Sequence, residues 1–178
     1  MFSLLKNINN KYISTLTNTK PYIFFPIVLG AYTGYYLYIH NILKQFPVYK
    51  TLANDRKYYV IFNISKSSML LWISYSIFLG YNRNLLSFTS IDWSNQILYK
   101  NITALYSITD IAPLFINRKK MMKSTVIHHV CVFLAYLKIV SSDLVTTTIP
   151  NAIILYGLFS SLAFVVNFYL GFRFITKN

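Results

Sequence analysis

Long apolar runs, separated by short polar or basic segments, are the feature that most restricts how this chain can fold. Five such runs occur, at about residues 21–39, 58–80, 97–116, 125–140 and 149–174. A helix of about 20 apolar residues crosses the hydrocarbon core of a bilayer, because each residue adds about 1.5 Å of length. The runs approach that length, so the sequence predicts an all-α membrane protein, a polytopic bundle of about five transmembrane helices.

Charged side chains are scarce, which supports lipid as the surrounding solvent. They make up 12% of the 178 residues, and only four residues are acidic, whereas a soluble domain usually has about 25% charged residues. The single cysteine, Cys131, lies inside an apolar run. We expect it to be a small packed core residue, and one cysteine forms no internal disulfide.

The formal net charge of +13 comes from lysine and arginine residues placed between the apolar runs rather than in one stripe. This placement fits loops that face anionic headgroups and argues against a nucleic-acid partner. The segments after the first and third runs, together with the C-terminal end, carry most of these basic residues. The positive-inside rule therefore predicts a lumenal N-terminus and a cytosolic C-terminus.

Residues 1–20 are polar and are predicted to be a short amphipathic or disordered lead-in, followed by one membrane domain over residues 21–175. The lead-in has no continuous apolar core and no small-residue cleavage site, so we expect no cleaved signal peptide. Gly30 and Gly34 form a small-xxx-small pair in the first run, for which packing against another helix of the bundle is the expected use. Pro26 is expected to kink that run.

The third and fourth runs are joined by a short basic turn and contain several ionisable groups. Asp110 lies in the third run, and two adjacent histidines, His128 and His129, lie in the fourth. Burial of such groups in lipid costs free energy, so they need a partner or a function. Neighbouring helical positions point about 100° apart. One histidine is therefore expected to face Asp110, and the other a cavity or a neighbouring helix.

Polar residues also interrupt the second run, where Lys66 is the only charge. One interpretation starts the membrane span near Met69 and leaves these residues at the interface; the other starts it near Tyr58 and turns them toward the bundle interior. With the earlier start, Lys66 lies roughly 12 Å below the membrane boundary, Asp110 roughly 9 Å and the histidine pair roughly 6–8 Å. These side chains would then share one layer in the cytosolic half of the bundle.

This layer has a structural and a chemical interpretation. Asp110, paired with Lys66 or with an imidazolium of the histidine pair, can form a polar staple that only holds three helices together. Alternatively, Asp110 orients one imidazole while the other acts as a base or nucleophile on an acyl carbonyl. Tyr106, one turn before Asp110, is placed either to donate a hydrogen bond to it or simply to pack. No metal site is expected, because helical chelation uses histidines three or four residues apart and these are adjacent.

The string YSITDIAPLF, the basic RKK turn and the string IHHVCVF resemble the TLC domain family, which includes the ceramide synthases and the TRAM translocation proteins. In that family an aspartate in one span, a basic turn and a His-His pair opening the next span recur in this order. Weaker similarity extends to DLVTTTIPN at 143–151 and to FYLGFRF, which contains Arg173. The acidic cluster that follows the pair in ceramide synthases and the family's second-span histidine are absent, and the chain ends soon after Arg173. The resemblance therefore indicates a shortened member.

The resemblance implies a multi-pass, lipid-handling protein of the endoplasmic reticulum or another internal membrane. The candidate catalytic residues are His128, His129 and Asp110. The candidate binding residues are Lys66, Tyr106 and Arg173. No resident cofactor is implied, and acyl-CoA would be a cosubstrate only of an acyltransferase. The expected partners are membrane lipids, and a homo-oligomer is compatible with the sequence.

Three functions follow, and the sequence leaves open whether the chain is an enzyme. The first is lipid homeostasis through binding or organising a lipid, a sphingolipid or a phospholipid, in the bundle. The second is acyl-CoA-dependent N-acyl transfer of the ceramide synthase type by the histidine pair. The third is proton-linked transport, which the layer of Lys66, Asp110 and His128 suggests, although no inverted repeat is visible.

Overall fold

The computed structural model of the chain describes residues 14–75, 93–117 and 121–176, and the regular structure within these ranges is helical. After a helical turn at 14–18, seven helices follow: α1 (Pro21–Leu43), α2 (Pro47–Thr51), α3 (Asn54–Ser74), α4 (Gln96–Asn117), α5 (Lys123–Ser141), α6 (Thr148–Ser160) and α7 (Phe164–Phe172). A 3₁₀ turn, Ser161–Ala163, joins α6 to α7. The prediction of an all-α fold is confirmed.

Three helical segments within the described ranges are long and apolar enough to cross a membrane: Pro21–Leu43, Lys123–Ser141 and Thr148–Phe172. In each, only 17% of the most apolar window is buried inside the bundle. Large apolar side chains such as Ile27, Leu134 and Val165 are therefore exposed on the outer surface. Apolar surface of this extent suits lipid rather than water. The other two predicted spans, α3 and α4, are helical as expected but are more polar than these three segments.

The helix starts follow local sequence rules. Pro21 and Pro47 each occupy the first turn of their helix, where the missing N–H removes no intrahelical hydrogen bond. α1 continues as a helix through Pro26. α3 begins at Asn54, so one continuous helix contains the polar part of the second run. Three parts of the sequence lie outside the described residues: the rest of that run with the polar connection after it (76–92), the centre of the basic turn (118–120) and most of the lead-in (1–13).

α3 packs against α1, α4 and α7, and its polar residues face these neighbours. Ser67 is buried, and its hydroxyl donates a hydrogen bond to the Phe164 carbonyl at 2.8 Å. The hydroxyls of Ser74 and Ser161, both buried, also lie 2.8 Å apart. Helices in lipid associate through contacts of this kind, because lipid tails compete equally well for apolar surface. The polar residues of the second run therefore lie inside the bundle, as the interpretation with the earlier start requires.

A close approach of two helices occurs at a glycine that the sequence did not single out. A Cβ at Gly171 of α7 would lie 2.7 Å from Ile64 Cγ1 and 3.3 Å from the Ile64 nitrogen and the Val60 carbonyl oxygen of α3. In contrast, a Cβ at Gly30 or Gly34 would meet nothing within 4 Å. The prediction that this pair packs against another helix of the bundle is therefore wrong for the described residues. Both glycines lie on the exposed face of α1.

Two polar contacts tie connecting segments to α4. Gln96 Nε2 donates to Asp143 Oδ1 at 2.6 Å, which fixes the connection between α5 and α6. The Val145 N–H also donates to Asp143, and this bond is the main cause that lowers the pKa of the Asp143 carboxyl below its usual value. Asn101 Nδ2 donates to the carbonyl of Leu16 at 2.8 Å. The end of the predicted lead-in is therefore helical and packed against the bundle.

Candidate functional site

Lys66, Asp110 and His129, one from each of α3, α4 and α5, meet inside the bundle; we call them the ion-pair cluster. Lys66 Nζ lies 2.5 Å from Asp110 Oδ1, and His129 Nδ1 lies 3.2 Å from the same oxygen. Asp110 is 0% exposed and His129 2%. The predicted common layer, with one histidine facing Asp110, is confirmed. The catalytic and binding roles of these residues stay predictions.

Helix geometry explains why the three side chains meet. Asp110 lies about two turns before the end of α4, and His129 lies about two turns after the start of α5. These two helices are neighbours joined by a short turn, so equal distances from the turn give equal depths in the bundle. Lys66 reaches the same level from α3, which packs along α4.

Phe62 covers the ion-pair cluster on one side. Its ring centroid lies 5.6 Å from Lys66 Nζ, within the range of a cation–π contact. The His129 ring meets Phe62 edge-on at 6.0 Å. The ammonium therefore has a carboxylate on one side and an aromatic ring on the other. Both contacts offset the cost of placing a lysine inside a bundle of apolar helices.

Several buried polar atoms around the cluster form no hydrogen bond with another described residue. They are Asp110 Oδ2, both ring nitrogens of His129 and the Tyr32 hydroxyl. The His129 contact with Asp110 thus has the distance of a hydrogen bond but not its alignment. Buried polar atoms are nearly always paired. These atoms are therefore available to a polar group or a proton beside the cluster.

An apolar cavity of about 220 Å³ lies beside the cluster, between α4, α5 and α6. We call it the apolar cavity, and its wall includes Ile102, Tyr106, His128, Ala135, Ile154 and Gly157. The His128 ring is exposed, and its centroid lies 5.4 Å from that of His129. Of the two environments predicted for the second histidine, a cavity or a neighbouring helix, the structure shows the cavity. The histidine pair thus connects the ion-pair cluster to the apolar cavity.

Two side chains of the apolar cavity differ from their predicted environments. Cys131 is exposed and lies on the cavity wall, so the expectation of a packed core residue is wrong. It follows His128 by three residues and so shares its helix face. Tyr106 also lies on the wall, over Gly157, and its hydroxyl is within reach of Ser160. The hydrogen bond predicted from Tyr106 to Asp110 is not among those that the described residues form.

The site also brings together three potential metal ligands, although their sequence spacing argued against a metal. The ligand atoms of Asp110, His128 and His129 lie within 4.8 Å of one another. However, the Lys66 ammonium already lies 2.5 Å from the Asp110 carboxylate. A divalent cation at the roughly 2.0–2.2 Å typical of zinc ligands would meet that positive charge. The arrangement suits an ion pair better than a metal centre.

A second cavity, of about 570 Å³, lies at the end of the bundle where α3 and α5 begin and α7 ends. We call it the basic cavity, and its lining includes Arg56, Tyr59, Phe62, Thr125 and Arg173. Phe62 is shared, because it also covers the ion-pair cluster. The structure thus places Arg173 away from the histidine pair and beside Arg56. From the sequence, Arg56 is one of the basic residues between the first and second apolar runs, and no binding role was predicted for it.

Comparison with known proteins assigns no family: the chain matches no family model, and no curated protein or solved structure is similar to it. The resemblance to the TLC domain family thus stays a prediction, carried mainly by residues 106–134. The ion-pair cluster and the two cavities are the features from which a function can be inferred.

Proposed function

We propose that this chain is an integral membrane protein of the TLC type that binds the acyl chain of a membrane lipid in the apolar cavity and so contributes to lipid homeostasis, in the endoplasmic reticulum or another internal membrane. The observation that carries this proposal is the cavity itself, about 220 Å³ between α4, α5 and α6. One water needs only about 10–15 Å³ of such space, so the cavity has room for a much larger group, such as a segment of an acyl chain.

The composition of the wall supports a lipid rather than a polar ligand. Most lining residues are aliphatic or aromatic, and the polar ones include His128, Cys131 and Tyr106. Small-molecule sites commonly combine an apolar wall with a few polar groups that fix the orientation of the ligand. α5 and α6 also belong to segments apolar enough to cross a membrane. A chain can therefore enter sideways from the bilayer, with its carbonyl group beside the imidazole of His128.

Ala135→Phe is expected to reduce capture of a lipid chain by at least about tenfold, because the new ring fills the cavity that the chain would occupy. Ala135 lies on the cavity wall. The measurement is cross-linking of the purified protein to a lipid that carries a photoreactive group in its acyl chain, with the labelled peptides mapped by mass spectrometry. Labelling of native protein is expected on α4, α5 and α6.

Ala152→Phe is the matched control, since Ala152 is exposed on α6 and lies outside the cavity lining. It should label like the native chain. Cys131, the only cysteine of the sequence, gives a second readout, because a bound chain should slow its alkylation by a maleimide. Equal labelling of the two variants, or a Cys131 thiol indifferent to lipid, would contradict the proposal.

Acyl transfer is the second candidate function, and the exposed imidazole of His128 on the cavity wall favours it. A ring nitrogen of His128 would attack the carbonyl carbon of an acyl thioester, and the thiolate would leave. An amine would then attack the carbonyl carbon of the acyl-imidazolium, and the bond to the histidine nitrogen would break. The amine's proton would pass to the thiolate, which leaves free histidine, an amide and a thiol. His129, placed against Asp110, would hold the neighbouring imidazole in position.

His128→Gln separates binding from transfer. If the chain only binds lipid, photolabelling is expected to stay within about twofold of native, and cells expressing either form should have the same lipid profile. If it transfers acyl groups, binding should persist while an N-acyl lipid product falls by about 100-fold or more. Lipid analysis at matched expression measures this. His40→Gln, which alters a histidine whose partner is the Tyr49 hydroxyl, is the control and should leave product and labelling unchanged.

A further inference from the structure

We infer that the basic cavity binds the phosphate group of an anionic ligand between Arg56 and Arg173. This inference does not depend on the function of the apolar cavity, because the two cavities share none of their lining residues. It rests on the position of the two guanidinium groups, on their lack of acidic partners and on the helix ends that meet at this cavity.

An aromatic pair fixes both guanidinium groups at the rim of the basic cavity. Arg173 Cζ lies 4.7 Å and Arg56 Cζ 5.9 Å from the centroid of the Phe174 ring. Arg173 also lies 5.8 Å from the Tyr59 ring, and Tyr59 meets Phe174 edge-on at 5.7 Å. Arginine stacks well on aromatic faces, and its rigid fork of N–H donors then matches the oxygens of a phosphate.

Neither arginine is neutralised by a carboxylate. In the part of the chain that the structure describes, the ion pairs are those of Asp110 with Lys66 and His129. One acid, Asp55, lines the basic cavity together with the two arginines. The lining therefore keeps a net positive charge. A concave surface with one dominant sign of charge concentrates ligands of the opposite sign.

Two helix N-termini add hydrogen-bond donors at the same place. α3 and α5 both begin at this cavity, and their N-cap residues, Ala53 and Met122, make no side-chain hydrogen bond. The first N–H groups of these helices have no intrahelical acceptor and carry partial positive charge. Anions bind at such helix ends. Arg173 lies at the C-terminal end of α7, where its charge offsets the opposite dipole.

The size of the cavity points to a phosphate attached to a larger group. About 570 Å³ exceeds what one inorganic phosphate would fill, and Thr125 offers a hydroxyl to the rest of the ligand. A phospholipid headgroup and a soluble phosphate compound share this chemistry. The basic cavity would therefore take a phosphate mono- or diester, and the test below separates the two sources.

The test is titration calorimetry of the full chain in uncharged detergent micelles, with inorganic phosphate and short-chain phosphatidic acid as probes and diacylglycerol of the same chains as the uncharged comparison. If phosphatidic acid binds and inorganic phosphate does not, the site is one for a lipid headgroup. If both bind, the site also accepts soluble phosphates. Either result supports the inference. Binding of neither, or equal binding of phosphatidic acid and diacylglycerol, would overturn it.

Matched variants locate the binding. Arg56→Gln with Arg173→Gln is expected to weaken phosphate binding by at least about tenfold. Lys44→Gln with Lys50→Gln removes the same charge from exposed residues outside the cavity lining, and should change affinity by less than about twofold.

Asp55→Asn should strengthen binding, a gain that a misfolded protein would not produce. Equal losses in the arginine and lysine pairs would overturn the inference. Ala135 lies outside the basic cavity. Ala135→Phe should weaken binding of phosphatidic acid and diacylglycerol by the same factor and leave the difference between them unchanged, which keeps failure here distinct from failure of the proposed acyl-chain site.

Discussion

Asp110→Leu is expected to lower the free energy of unfolding by about 3–5 kcal/mol, the usual cost of removing one partner of a buried ion pair. Asp110 is fully buried, and the Lys66 side chain is 14% exposed. Without the carboxylate, the ammonium keeps Phe62 as its neighbour but loses its counter-charge. The measurement is unfolding of the purified protein by SDS in mixed micelles, followed by circular dichroism.

Lys66→Met combined with Asp110→Leu is the decisive comparison. Replacement of a whole buried ion pair by apolar residues is often neutral, so the double variant should recover most of the stability that Asp110→Leu loses. The two changes should be strongly non-additive because the residues touch. A double variant as unstable as Asp110→Leu would show that the pair is not the source of the loss. A stable double variant that no longer binds lipid would give the ion-pair cluster a role beyond stability.

Gly171→Ala is expected to lower the free energy of unfolding by about 1–3 kcal/mol, the range for overpacking a close contact. The added carbon would lie 2.7 Å from Ile64 Cγ1 and 3.3 Å from two backbone atoms of α3. Ile64 is buried and has little room to move. The helices must therefore separate, and the same SDS unfolding measurement would detect the loss.

Gly30→Ala and Gly34→Ala are the matched controls, because a methyl group at either position meets nothing within 4 Å. Alanine favours a helix over glycine by about 0.8–1.0 kcal/mol. Both controls should therefore be neutral or slightly stabilising. If Gly171→Ala behaved like them, the contact between α3 and α7 would be looser than the distances indicate.

The ion-pair cluster could be predicted from the sequence because it depends mainly on one quantity, the depth of each residue along its helix. The short turn between the third and fourth runs requires antiparallel neighbours, and the rise of a helix then converts residue number into depth. The common depth of Asp110 and the histidine pair follows from that conversion alone. The depth of Lys66 depended on where its helix begins, near Tyr58 or near Met69. α3 begins at Asn54, so Lys66 lies inside the bundle. The angle between adjacent helix positions predicts that His128 and His129 face different surroundings, but only the structure shows that His129 is the one beside Asp110.

The cavities and the glycine contact could not be predicted in this way, because they depend on how three or more helices pack. The spacing of Gly30 and Gly34 says that they share a helix face, but not that α1 turns this face outward. Cys131 looked like a core residue because its neighbours are apolar, whereas it faces a cavity that α4, α5 and α6 enclose. Arg56 and Arg173 are far apart in sequence and meet only because α3 and α7 pack together.

The ion-pair cluster also has a consequence for how the chain is assembled. Its lysine and its aspartate lie on α3 and α4, the two predicted spans that are not among the three strongly apolar segments. A charge at mid-membrane costs about 2.5–3.5 kcal/mol on insertion scales, so each helix would bear that cost if it entered lipid alone. Together, with opposite charges joined, they would bear much less of it. Entry of the two helices as a pair would therefore cost less than separate entry, so the salt bridge bears on the order of assembly as well as on the stability of the finished protein.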